Sequence, residues 1–83
     1  GLRLAMIVSG VVIETLPGSA DVVAARLRAV AQIAVEGSDG DCRLAAIWEG
    51  ESAEALERFA EDLLAGDEQI LGVFPVYVGE DEE

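Results

Sequence analysis

Glu49 and Glu51, two apart in Trp48-Glu49-Gly50-Glu51, and the single Cys42 are the side chains whose type and spacing come nearest to chemistry in this chain. A carboxylate pair can bind a hard cation. At a spacing of two along a strand, however, both carboxylates simply stand in water, and no metal site is expected. Cys42 follows a turn signal and has no His or Lys beside it to lower its pKa, so its thiol is expected to be unreactive. As the only cysteine it forms no internal disulfide, which fits a reducing compartment. The chain contains no His, Lys or Asn. That removes a Ser-His-Asp or Cys-His nucleophile, a Schiff-base or phosphate-loop lysine, and a histidine-bound zinc. Cys-x-x-Cys is also absent, which excludes a paired-thiol metal carrier. The expectation is a protein that is not an enzyme and carries no cofactor.

Charge is the distinctive property that remains. Seventeen acidic residues face five basic ones, a net charge of −12, and every cation is an arginine: Arg3, Arg26, Arg28, Arg43 and Arg58. Such a surface repels phosphate backbones, so nucleic acid is not an expected partner. Apart from Trp48, the sheet aromatics on which bases could stack are missing as well. A basic partner, in contrast, would be drawn in from a distance. No apolar run approaches the ~18 residues needed to cross a bilayer, because charges interrupt every stretch from Glu14 onward. Gly1–Ala5 leads into a strand-like pattern instead of a signal-peptide plateau. A soluble chain without membrane insertion is therefore expected, with one domain over residues 1–79 and a disordered acidic tail over 80–83.

The elements that must position any site start with Met6–Thr15. This run is dense in β-branched residues and ends at Leu16-Pro17-Gly18-Ser19, as a strand running into a turn would. It is apolar at both parities, which suits a central strand. Ser19 is a candidate N-cap, and Val23, Leu27 and Val30 at i, i+4 and i+7 predict an amphipathic helix from Ala20 to Ala31. Ile33–Glu36 and Arg43–Glu49 read as strands joined by Gly37-Ser38-Asp39-Gly40-Asp41, with its Asp-Gly turn signal. Ser52 caps a second helix whose Leu56, Phe59, Ala60 and Leu63 form one apolar stripe, and Gly66 is a natural left-handed stop. Ile70–Val78 is the last strand, and Pro75 confines it to an edge.

The order β-α-β-β-α-β folds by two right-handed crossovers into a four-stranded antiparallel sheet. Both helices then lie on one face, the ferredoxin-like split-βαβ arrangement of an α+β domain. The second face of the sheet is left open, and an open apolar face is a place for a partner.

Several stretches coincide with one family. Val8-Ser9-Gly10-Val11-Val12 in the first strand, the Asp-Gly hairpin, Ala46-Ile47-Trp48-Glu49-Gly50-Glu51-Ser52, Gly72-Val73, Val76-Tyr77 and the acidic tail together resemble the NapD family over nearly the whole chain. The resemblance implies the fold inferred above and a cytoplasmic chaperone for periplasmic nitrate reductase. Such a chaperone binds the twin-arginine (Tat) signal peptide of the catalytic subunit NapA and holds back export until the molybdenum cofactor is loaded. By position, Ser9, Val11 and Val12 match the family's Ser and Val-Val in strand one. Glu49 matches the acid closing strand three, and Tyr77 the tyrosine of the terminal Val-Tyr pair. The last strand departs from the pattern in being short, in containing Pro75, and in having Val78 where a His often follows the Tyr.

A twin-arginine peptide is basic at one end and apolar beyond it. It is expected across the open face, on apolar residues such as Val11 and Trp48, with Glu14, Glu36 and Glu49 receiving its arginines. Trp48 suits packing against the helices equally well. Parity leaves the choice open, because Ser9 would turn odd positions of the first strand outward and Glu14 even ones. A bulge at Gly10 would reconcile them. Strand addition at a sheet edge is a second docking mode. An ACT-type ligand-sensing domain shares the element order, and Glu14-Thr15-Leu16-Pro17-Gly18 resembles its strand, acid and Pro-Gly junction. That domain would take an amino acid between paired copies. A subunit that packs on a larger protein through its open face is a third class.

Overall fold

The computed structural model describes residues 6–81, with side chains as far as Val76. The β-branched run forms strand β1 (Met6–Thr15), followed by helix α1 (Ala20–Leu27) and strands β2 (Ile33–Ser38) and β3 (Arg43–Gly50). Helix α2 (Ala53–Gly66) and strand β4 (Ile70–Asp81) complete the order. The strands lie in the order β2-β3-β1-β4, and every neighbouring pair is antiparallel. This is the ferredoxin-like α+β fold, with β1 and β3 central and Pro75 in an edge strand.

Local chemistry explains the corners. Gly18 has φ +80° and Gly40 φ +79°, values that a side chain disfavours and glycine accepts. Pro17 and Gly18 occupy the middle of a turn closed by the Ser19 N–H donating to the Leu16 carbonyl at 3.0 Å. Ser52 caps α2 as expected, its hydroxyl accepting from the Ala55 N–H at 3.0 Å.

Four expectations are corrected. Ser19 makes no side-chain cap, because its hydroxyl accepts a hydrogen bond from the Gln69 amide at 3.1 Å, fifty residues away. Helix α1 stops at Leu27 instead of Ala31, where i→i+3 bonds from Ala29 to Arg26 and from Val30 to Leu27 tighten the chain. Val30 still reaches the core from this turn. Gly66 does not close α2 in a left-handed conformation. Asp67 ends the helix in an extended conformation, and its carboxylate accepts from the Gln69 N–H and from Arg26. Last, β4 runs on past Val78, and Glu80 and Asp81 of the expected tail pair with Ile7 and Met6.

One hydrophobic cluster holds both helices against the same side of the sheet. Val23, Ala24 and Leu27 of α1 and Leu56 of α2 meet Val11 and Ile13 of β1, Ile33 of β2, Leu44, Ala46 and Trp48 of β3, and Ile70 of β4. Burying residues of this kind contributes roughly 1.5–3 kcal/mol each.

Candidate functional site

Because side chains alternate along a strand, the register decides which residues the helices cover. The pairing of β1 with β3 runs unbroken from Ile7 opposite Gly50 to Glu14 opposite Arg43. β1 therefore has no bulge at Gly10 towards β3, and its parity is single. Odd positions point to the helices: Ser9 is 0% exposed, Val11 2%, Ile13 0% and Thr15 1%. Even positions point away. The irregularities fall in the β1–β4 pairing, where Val76 is the extra residue between the partners of Gly10 and Val11, and Leu71 the extra one between those of Glu14 and Thr15.

The helix-free face is thus a set of cross-strand rows. Ala34, Ile47 and Gly10 form one, Ala45, Val12 and Phe74 the next, then Arg43, Glu14 and Gly72, while Val8 stands opposite Glu49. Val8, Val12 and Ile47 are half-buried, and Ala34, Ala45 and Glu49 are exposed. Phe74 is 53% exposed. Its ring lies over Gly72, where a Cβ would collide with it. At one end a shallow, mostly apolar depression of about 340 Å³ is lined by Val12, Ala45, Leu44 and Gly37 together with Arg43, Ser38 and Asp39. The centre of the face is apolar, and carboxylates stand around it.

The expected site residues divide. Val12, Glu14 and Glu49 lie together on the bare face, and Glu36 is exposed at the irregularity in β2. Ser9, Val11 and Trp48 lie on the other side, which corrects the expected place of Val11 and of an outward Ser9 and, for Trp48, decides for the packing against the helices that the sequence left equally open. The Ser9 hydroxyl is inside because it donates to the Gly10 carbonyl at 3.0 Å. Trp48 is 0% exposed and meets Phe59 of α2 with ring centroids 6.1 Å apart. The Tyr77 backbone stands opposite Gly10, and its side chain lies outside the described residues. Ala34, Ala45, Ile47 and Phe74 were missed. The signal that finds three of them is in β3: charged Arg43 and Glu49 share odd parity, which turns Ala45 and Ile47 outward and, through the register, Ala34 with them.

Charge is distributed unevenly between the two layers. Arg26 and Arg58 lie on the helices and Arg28 caps α1. Arg26 is held by the Asp67 carboxylate at 2.8 Å and by Gln69. Among the described residues, Arg43 is the one cation on the bare face, 3.7 Å from Glu14. No group of three or more Cys, Asp and Glu side chains is arranged to hold a metal among the described residues, and no helix among them is long and apolar enough to cross a membrane.

The β2–β3 turn that presents Arg43 is organised by Asp39. Its carboxylate accepts from the backbone N–H groups of Asp41 at 2.8 Å, Cys42 at 3.0 Å and Arg43 at 3.1 Å. The Asp41 N–H above all, then that of Arg43, hold this carboxyl below its usual 3.8 against an opposing desolvation, with smaller help from the Cys42 N–H and the Arg43 charge. The unfolded chain binds that proton more readily, so the stabilisation is fully present above the ordinary aspartate value and is lost as pH falls through the folded one. Asp39→Asn keeps an acceptor oxygen and removes the titration. Its urea midpoint is expected to fall less than that of the wild type between about pH 5 and pH 3, and an equal fall in both proteins would show the turn to be irrelevant to acid unfolding. Partial burial, and then Asp41 and Asp39, push the Cys42 thiol up, away from reactivity.

A family model described as NapD protein matches residues 6–82 of the chain. No curated protein and no solved structure matches it significantly.

Proposed function

The chain belongs to the NapD family, and on that premise we propose that its helix-free sheet face receives the twin-arginine signal peptide of a NapA-type nitrate reductase. Membership supports a role in nitrate reductase maturation as a chaperone, not an enzyme. The finer assignment adds that the encounter takes place in the cytoplasm and delays export until the partner's cofactor is in place.

The observation that carries it is the bare face itself, apolar along Ile47, Ala45, Val12 and Phe74 and fringed by Glu14 and Glu49, with Glu36 exposed at the irregularity in β2. A peptide with an arginine pair beside an apolar stretch matches both parts. Micromolar affinity takes about −8 kcal/mol. An exposed Arg–carboxylate pair supplies only ~0–1 kcal/mol. Covering ~500 Å² of apolar surface supplies about 12 kcal/mol gross at ~25 cal/mol/Å², before the cost of association. Apolar contact therefore holds the peptide, and the carboxylates set its direction and raise its rate of encounter.

The face suits the peptide better than the edges do. β2 is interrupted at Glu36, and β4 carries two irregularities and Pro75, which has no N–H to offer. Titration calorimetry with a synthetic twin-arginine peptide is expected to give saturable heat, weakened when both arginines become lysine. Heat from a free amino acid and none from the peptide would favour the ligand-sensing alternative. Equal binding of the arginine and lysine peptides would mean that the chain packs on a partner without reading the pair.

A further inference from the structure

The bare face contains a cation where a basic ligand is to land. Arg43 stands directly opposite Glu14 in the β1–β3 register, and its Nε lies 3.7 Å from the Glu14 carboxylate, beyond hydrogen-bond length. Both side chains are well exposed, 66% for Arg43 and 39% for Glu14. The contrast with Arg26 is plain, since that guanidinium grips Asp67 through hydrogen bonds of 2.8, 3.0 and 3.1 Å. Arg43 also lines the apolar depression beside Val12 and Ala45.

We propose that Arg43 is a built-in competitor for Glu14: it occupies this carboxylate in the empty protein and gives way when a peptide arginine arrives. The proposal rests on the peptide-binding function above and adds a specificity device to it. A single contact at 3.7 Å is weak, whereas a peptide guanidinium free to approach the carboxylate side-on can form two short, charge-assisted bonds. A ligand with no such fork gains too little at Glu14 to displace Arg43. The same residue places a positive charge beside the depression it helps to line, so peptides with only diffuse positive charge are disfavoured there.

The test is titration calorimetry of the wild type, Arg43→Gln, Arg28→Gln and Arg43→Gln/Glu14→Gln with one synthetic twin-arginine peptide. Far-UV circular dichroism confirms that each is folded. Freed from its competitor, Arg43→Gln is expected to bind about two- to fivefold tighter. Arg28→Gln removes the same charge at the end of α1, on the helix layer, and is expected to change affinity by less than about 1.5-fold once salt screens it. Glu14→Gln alone is measured as well, and against it the gain in the double variant is expected to shrink to that of Arg28→Gln, because the contested carboxylate is gone. Unchanged or weaker binding by Arg43→Gln overturns the proposal and leaves the peptide-binding function standing, as does an equal gain from Arg28→Gln. Absence of heat from the wild type overturns both.

Discussion

Trp48→Ala is expected to cost about 3–5 kcal/mol of folding stability, the range for removing a buried large aromatic side chain. A domain of this size has roughly 4–12 kcal/mol to lose. The ring is fully buried, rests against Phe59, and covers Gly50 so closely that a Cβ there would overlap Cη2 and Cζ2 of the indole. Its Nε1–H has no hydrogen-bond partner among the described residues, so packing alone holds it. Trp48→Phe should therefore be much milder, keeping most of the ring and removing an unpaired donor. Gly50→Val should behave like the alanine variant from the opposite direction, by forcing the indole out of its place. Urea unfolding followed by circular dichroism measures all three. A loss below about 1 kcal/mol in Trp48→Ala would mean that the ring is not the anchor of the core.

Val12→Lys is expected to weaken twin-arginine peptide binding by about thirtyfold, some 2 kcal/mol, while leaving the protein folded. Val12 sits between Ala45 and Phe74 at the centre of the bare face. A lysine there removes apolar contact and repels a basic ligand. The sharper comparison is with its neighbour. Val11, 2% exposed, points into the helix-covered core, so Val11→Lys buries an unpaired ammonium and should unfold the chain. Calorimetry and urea melts on the two variants separate the faces: one loses binding and keeps its fold, and the other loses the fold. A Val12→Lys protein that binds as the wild type does would remove the sheet face from consideration.

The fold was legible because its signals are local. Pro17-Gly18 and Asp39-Gly40 each required a left-handed glycine and obtained it, Ser52 met the Ala55 N–H, and Pro75 marked an edge. What escaped was long-range or two-sided. Nothing near Ser19 announces that Gln69 will take its hydroxyl. The extra residues Leu71 and Val76 look like ordinary strand residues, because a bulge belongs to a pairing and not to a chain segment. Which of the expected residues share the bare face was legible only in part, for the same reason. In β1, apolar residues at both parities left Ser9 and Glu14 as the only guides, and Ser9 misled because its hydroxyl is satisfied by a neighbouring carbonyl inside the core. The deciding signal lay unused in β3, where Arg43 and Glu49 share a parity that turns Trp48 inward.

The chain has a single tryptophan, and the sheet separates it from the bare face. Its emission will follow unfolding faithfully and stay nearly silent when a ligand docks on the opposite surface. A fluorescence assay of docking accordingly needs a second reporter, and the exposed ring position at Phe74, next to Val12, is where an introduced indole would sense the event.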